Sequence, residues 1–156
     1  MRNSIFITIT ILFFTKFCFA QNPDTLVYKK NALFLELVGN AGQYSINYEG
    51  ILKGGQKGFF TLRIGFSYTG EYIFPILLNH VSGHHNNHLE MGAGVRFSPT
   101  YTLGDGGIIT ANVIYRFQKP NGKFLFRAGW TPIFYKLTDQ AGLLNYWCGM
   151  SIGYLF

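Results

Sequence analysis

The most regular feature of this chain is an alternation of apolar and polar residues that recurs between glycine-rich turns. In residues 145–156, every second residue from Tyr146 to Phe156 is apolar or aromatic, and Gly149 and Ser151 lie between them. Successive side chains of a β-strand point to opposite faces of the sheet. This segment therefore predicts a strand with one apolar face and one face of small and polar residues.

Seven segments of this kind are legible, and an eighth is weaker because its apolar residues do not alternate cleanly. The seven clear segments are residues 33–38, 44–49, 60–68, 88–96, 109–117, 124–130 and 145–156, and the weaker one is 73–81. A closed bacterial barrel with both chain ends on one side has an even number of strands. The pattern therefore predicts an all-β, eight-stranded, antiparallel up-and-down β-barrel over residues 31–156.

The charged residues indicate which face of this barrel points inward. All the arginines after residue 20 and three glutamates fall on the polar, glycine-rich face of the alternation, and we predict that they form an ion-pair network in the lumen: Glu36, Glu49, Arg63, Glu90, Arg96, Arg116 and Arg127. The interior of an eight-stranded barrel is just wide enough for side chains to fill it. The apolar face would then contact lipid, which makes the barrel transmembrane. The same alternation also fits a soluble sandwich or a lipocalin-like barrel with an apolar interior.

Composition supports an exported membrane barrel over other classes. The 156 residues are 48% hydrophobic and only 13% charged, whereas a soluble domain carries about 25% charged residues. Disorder is excluded by this apolar content. The formal net charge is +6, whereas a nucleic-acid-binding protein is expected to concentrate its basic residues on one face or loop, and the export signal described below would place this chain outside the cytoplasm. We expect no nucleic-acid partner.

The first twenty residues are typical of a cleaved signal peptide. Arg2 supplies the positive start, residues 5–14 supply the apolar run, and Cys18 to Ala20 supply a cleavage site. Residues 21–30 are then expected to form a short periplasmic segment. Cys148 is left as the single cysteine after cleavage, so no internal disulfide is expected.

Several segments resemble the small outer-membrane β-barrels of Gram-negative bacteria, with the architecture of the OmpA transmembrane domain and OmpX. The segments are residues 35–42, 44–49, 63–66, 88–94, 124–132 and 151–156, which together span nearly the whole chain after residue 30. The resemblance implies an outer-membrane location and insertion by the barrel-assembly machinery. It also implies that the terminal aromatics Tyr154 and Phe156 serve as the assembly signal. No activity follows from it.

A cluster of histidines is the most conspicuous candidate for chemistry. His84, His85 and His88 lie within or next to a predicted turn, with His80 upstream. Neutral imidazoles are ligands for Zn, Cu and Ni, which makes these three weak candidates for a metal site. A polar hairpin connection explains the same residues, and we favour that interpretation. We predict no catalytic residue and no cofactor.

The predicted function is that of a monomeric outer-membrane barrel of structural or interaction type, whose lumen is plugged by arginine and glutamate. Its partners would be outer-membrane lipids and, during insertion, the assembly machinery. The alternative is a narrow pore for ions or small solutes. A lipid-modifying enzyme is a third, less favoured hypothesis. The loops predicted to face outward, residues 69–72, 98–107 and 131–143, contain no histidine that could serve in such a site.

Overall fold

A computed structural model describes residues 28–55, 58–99, 108–137, 140–145 and 148–156. The predicted signal peptide and most of the predicted periplasmic segment lie outside these residues. The described strands are β1 (Asn31–Gly39), β2 (Gly42–Gly55), β3 (Gly58–Tyr68), β4 (Tyr72–His84), β5 (Asn87–Phe97), β6 (Ile108–Gln118), β7 (Phe124–Trp130), β8 (Ile133–Leu137), β9 (Gln140–Asn145) and β10 (Cys148–Leu155). No helix occurs among the described residues, so none there could span a membrane.

The described strands close into an eight-stranded antiparallel barrel. Each strand from β1 to β6 pairs with the strand that follows it in the chain. Strand β7 pairs with β10, and β10 pairs with β1, which closes the barrel. Strands β8 and β9 pair with each other, and β8 continues β7 along β6, so they extend the last two barrel strands. The prediction of a closed, eight-stranded antiparallel barrel is confirmed.

Closure of the barrel joins the first strand to the last. Leu33 of β1 lies opposite Tyr154 of β10. Beyond that ladder, the Asn31 amide donates to the Phe156 carbonyl at 3.1 Å, and the Phe156 amide donates to the Asn31 carbonyl at 2.9 Å. We call this end of the barrel the terminal end. The opposite end, which carries the turns at residues 40–41 and 69–71, is the hairpin end.

The fourth strand was the weakest prediction because both of its faces are apolar. Leu77 and Val81 are fully buried in the lumen, whereas Ile76 and Leu78 point outward. Alternation of polarity is lost when a strand places apolar residues on both faces, although alternation of direction is kept. Strand β4 therefore exists and is longer than the predicted segment, extending over Tyr72–His84.

The two faces of the sheet differ sharply in chemistry. On β3, Arg63 is completely buried in the lumen, while the next residue, Ile64, is 47% exposed on the outer face. The neighbours of Ile64 on β2 and β4 are Tyr48 and Ile76, which are exposed as well. Strict alternation over the predicted segment 33–38 places Val38 on the same face as Glu36, towards the lumen. This expectation is wrong. Val38 is exposed and has a φ of 50°, because the chain leaves the regular strand there to enter the first turn.

Aromatic side chains of the outer face concentrate near the ends of the strands. At the hairpin end, the rings of Tyr68 and Tyr72 lie 5.0 Å apart, and the Tyr44 hydroxyl donates to the Tyr68 carbonyl. At the terminal end, the rings of Tyr154 and Phe156 stack at 6.4 Å. Aromatic residues thus flank a largely aliphatic band on the outer face.

Candidate functional site: the barrel lumen

One buried ion pair lies on the hairpin side of the lumen. Arg63 of β3 donates through Nη2 to Glu36 of β1, and neither side chain is more than 1% exposed. Arg63 also donates from Nε to Asn47 Oδ1 at 2.9 Å and from Nη1 to Asn40 Oδ1 at 3.0 Å. Burial of a charge is costly unless it is paired and hydrogen-bonded. These contacts meet that requirement along the whole guanidinium, and we call Arg63 and Glu36 the hairpin-side pair.

A chain of four charged residues fills the terminal half of the lumen. Arg116 Nη1 lies 2.6 Å from Glu49 Oε1 and 3.1 Å from Glu90 Oε2. Arg127 then donates to Glu90 from Nε at 3.1 Å and from Nη2 to the other carboxylate oxygen. All four side chains are at most 2% exposed. We call this arrangement the four-residue chain; its formal charges cancel.

Most of these ion pairs join strands that are not neighbours in the sheet, whereas Arg116 and Glu90 lie on the adjacent strands β6 and β5. Glu49 lies directly opposite Arg63 in the β2–β3 register, yet its partner is Arg116 on β6, four strands away around the barrel. Arg116 and Arg127 are register neighbours of like charge. Like charges placed opposite each other destabilise a sheet. Here Glu90 is bound by both and offsets that repulsion.

A phenyl ring separates the two groups of charges. The ring centroid of Phe34 lies 5.2 Å from the guanidinium carbon of Arg63 and 4.5 Å from that of Arg127. Contacts of this kind between a cation and an aromatic ring stabilise by about 2 kcal/mol or more when they are desolvated. Phe34 belongs to the apolar cluster that Ala32, Leu125 and Leu155 complete at the terminal end. The ring holds both cations in place and fills the space between them.

Buried asparagines connect further parts of the lumen. Asn112 of β6 donates to Asn79 Oδ1 of β4 at 3.0 Å, and Asn79 donates to Glu49 Oε2 at 3.5 Å and to Thr61 Oγ1 at 3.4 Å. The predicted network omitted the asparagines. They fall on the polar side of the alternation, so their position in the strands could have revealed them.

Arg96 is the one predicted network residue that makes no ion pair with any described residue. Its Nη2 donates to the Ala41 carbonyl at 3.1 Å. The other six predicted residues are brought together by the hairpin-side pair and the four-residue chain. Arg96 lies apart from them, near the hairpin end of β5.

The terminal end of the lumen is covered by Tyr28, which precedes β1. Its ring contacts the rings of Phe59 at 5.6 Å and His88 at 5.2 Å, and its hydroxyl donates to the His85 carbonyl at 3.0 Å. Since β1 and the β4–β5 turn are on opposite sides of the barrel, Tyr28 reaches across the opening. Burial raises the pKa of the Tyr28 hydroxyl.

The histidines proposed as weak metal ligands occupy different environments. His84 and His85 are exposed, with their ring nitrogens in contact. His88 is buried, and its Nε2 lies 3.3 Å from the Gln118 carbonyl. Because a carbonyl oxygen only accepts, Nε2 carries the proton in this contact. Among the described residues, no group of three or more His, Cys, Asp or Glu side chains could hold a metal ion.

The residues predicted as an assembly signal lie on the outer face of the terminal end. Tyr154 and Phe156 are each 50% exposed. They belong to the strand that closes the barrel against β1. They are accessible from outside the barrel, whereas their neighbour Leu155 is buried in the lumen.

Comparison of the chain with protein-family models, with curated proteins and with solved structures found no match. In chemical terms, the paired charges are directed at one another and shielded from solvent. A solute could reach them only if the pairs opened.

Proposed function

We propose that this chain is a monomeric integral outer-membrane β-barrel of structural or interaction type, with a lumen plugged by its own ion pairs. The observation that carries the proposal is the inverted distribution of polarity, in which charges are buried and large apolar side chains are exposed. Soluble monomers rarely expose a contiguous apolar patch of more than a few hundred Å². An apolar outer band flanked by aromatic residues is the surface that a lipid bilayer stabilises.

The sequence supports the same location. Residues 1–20 have the features of an export signal. A lipid-facing barrel would contact outer-membrane lipids along its whole outer face and would be inserted by the assembly machinery. The plugged lumen supports a structural or interaction role because side chains no more than 2% exposed in the ion pairs are not presented to solutes or substrates.

Fluorescence quenching tests whether the outer face contacts lipid. Trp130 is exposed on that face, and Trp147→Phe leaves it as the only tryptophan. We expect brominated acyl chains to quench Trp130 in refolded vesicle-bound protein, with aqueous acrylamide quenching it weakly. Heat-dependent migration on gels serves as the control for folding. Strong acrylamide quenching of correctly folded protein, without quenching by the lipid, would refute the lipid-facing surface.

Conductance in a planar bilayer separates the plugged barrel from the narrow pore. We expect the parent protein to be electrically silent. Glu36→Ala and Arg63→Ala combined with Glu90→Ala and Arg127→Ala remove the hairpin-side pair and one acid and one base of the four-residue chain without changing the net charge, and we expect discrete openings from this variant. The control is Glu71→Ala with Lys53→Ala, which removes one acid and one base outside the two ion-pair groups. Reproducible openings of the parent would replace the plug with the pore hypothesis.

A further inference from the structure

Charge in the described lumen is unevenly matched. The hairpin-side pair has one acid and one base, and the four-residue chain has two of each. Arg96 is left as a surplus positive charge. Glu71, in the turn at the same end, makes no ion pair with a described residue either. Arg96 is therefore a cation without a carboxylate partner among the described residues.

The Arg96 side chain extends across the mouth of the barrel. Its backbone is on β5, but Nη2 bonds to the carbonyl of Ala41, in the turn between β1 and β2. The same nitrogen lies 3.8 Å from the position that a Cβ on Gly42 would take. Strand β5 faces this turn from the far side of the barrel. The guanidinium thus lies at the mouth of the lumen, where the Arg96 side chain is half-buried.

Several buried donors of the lumen have no hydrogen-bond partner. Arg127 Nη1 and Gln118 Nε2 are two of them, in the terminal half, and two others belong to residues at the hairpin end. Arg96 Nε is buried without a hydrogen-bond partner. Ser67 Oγ is also without one, and Ser67 is completely buried. Both residues are next to last in their strands, β3 and β5, and both end at the hairpin end. A guanidinium N–H can only donate, and a hydroxyl can donate. Buried donors left unpaired cost about 1–3 kcal/mol each, so a ligand that accepts hydrogen bonds would be stabilised.

We infer that the hairpin end of the lumen is a binding site for a small anion with carboxylate or phosphate oxygens, built on Arg96 and Ser67. Arginine matches the geometry of such oxygens and binds them through charge-assisted hydrogen bonds. The inference rests on the barrel and its lumen and does not depend on the proposed location in a membrane. The lumen would then hold a bound anion in addition to the chain's own side chains.

Nuclear magnetic resonance of the arginine Nε–Hε groups tests this site. The described residues contain four arginines, and the three paired ones serve as internal controls. The protein is refolded in a phosphate-free sugar detergent and titrated with inorganic phosphate at constant ionic strength. Arg96→Lys keeps the charge but removes the Nε–Hε group, which assigns the Arg96 signal. We expect that signal alone to shift and to saturate.

Variants measure the contribution of each group by calorimetric titration with phosphate. Arg96→Gln is expected to weaken binding at least about tenfold, which corresponds to about 1.4 kcal/mol. Ser67→Ala should weaken it by a smaller factor. Lys123→Gln, at the terminal end, is the matched control for loss of one positive charge and should leave the affinity unchanged.

Several outcomes would overturn the inference. Equal shifts of all arginine signals would mean non-specific binding, and no shift at any concentration would mean no site. A shift that needs added phospholipid would assign the anion to a lipid headgroup outside the lumen. A shift that develops only in the Asp105→Asn variant would mean that the Asp105 carboxylate binds the Arg96 guanidinium in the parent protein. Each result is obtained on folded barrel, so it is independent of whether the parent conducts or inserts into lipid.

Discussion

Removal of Glu90 is the most informative perturbation of the lumen. Glu90 accepts bonds from Arg127 Nε and Arg116 Nη1, each at 3.1 Å, and a further bond from Arg127 Nη2. Glu90→Gln keeps the size of the side chain but leaves the four-residue chain with one uncompensated positive charge. Removing one partner of a buried ion pair costs about 3–5 kcal/mol. We expect a loss of that size in the free energy of unfolding.

A double-mutant cycle with Arg127 separates the charge from the shape of the site. Arg127→Met keeps an apolar stem beside Phe34, whose ring centroid lies 4.5 Å from the guanidinium carbon. Arg127→Met alone leaves the four-residue chain with one negative charge in excess, and Arg116 is then the remaining partner of Glu90. Together the two changes leave the neutral pair of Glu49 and Arg116 at 2.6 Å. We expect the double variant to cost no more than either single variant, which is a coupling energy of about 3 kcal/mol.

The assay is reversible urea unfolding of refolded protein, followed by tryptophan fluorescence and by migration on gels. Equal slopes with urea for all variants would show that stability, rather than compactness, has changed. Additive costs, within about 0.5 kcal/mol, would refute the reasoning, because they would mean that the two side chains do not compensate each other's charge.

Three further predictions concern Ile64 on the outer face, Tyr28 over the terminal end of the lumen, and Gly94. Ile64→Arg should cost about 2–4 kcal/mol in vesicles if it lies near the midplane of a bilayer, measured by urea unfolding against Ile64→Ala. Burial raises the pKa of the Tyr28 hydroxyl. The contribution of this residue to the stability of the barrel is therefore complete below the ordinary tyrosine pKa near 10 and is lost as the pH rises above it. Tyr28→Phe should abolish this alkaline loss, which a series of unfolding midpoints at different pH values would measure. Gly94→Ala should destabilise by about 1–3 kcal/mol, because its Cβ would lie 2.7 Å from Leu77 Cα, whereas Gly54→Ala meets nothing closer than 3.7 Å and should be tolerated. Equal unfolding midpoints for the two glycine variants would contradict this.

The strands and their two faces follow from the sequence because their cause is local. Side-chain direction in a strand alternates with every residue, so Arg63 and Ile64 must face opposite sides wherever the strand is placed. Chain length and the even strand count then predicted the barrel. The same rule could have added the asparagines at positions 47, 79 and 112 to the lumen.

The sequence could not determine which charges pair, because most partners come from strands that are not adjacent in the sheet. Glu49 and Arg63 are register neighbours, but Glu49 pairs with Arg116 across the lumen. That choice depends on the curvature that closes the sheet and brings β2 and β6 face to face. Register gives the nearest neighbour on the sheet, and closure gives the nearest neighbour across the lumen.

Only the tertiary structure separated Arg96 from the other lumen charges and placed Tyr28 over the terminal end. The alternation pattern puts Arg96 in the same class as Arg116, since both are arginines on the inward phase of a strand. Their positions along the barrel axis differ, so that Arg116 meets two glutamates while Arg96 meets a backbone carbonyl. Periodicity along a strand determines the face of a residue, but the stagger between strands determines its depth, and depth decides its partner.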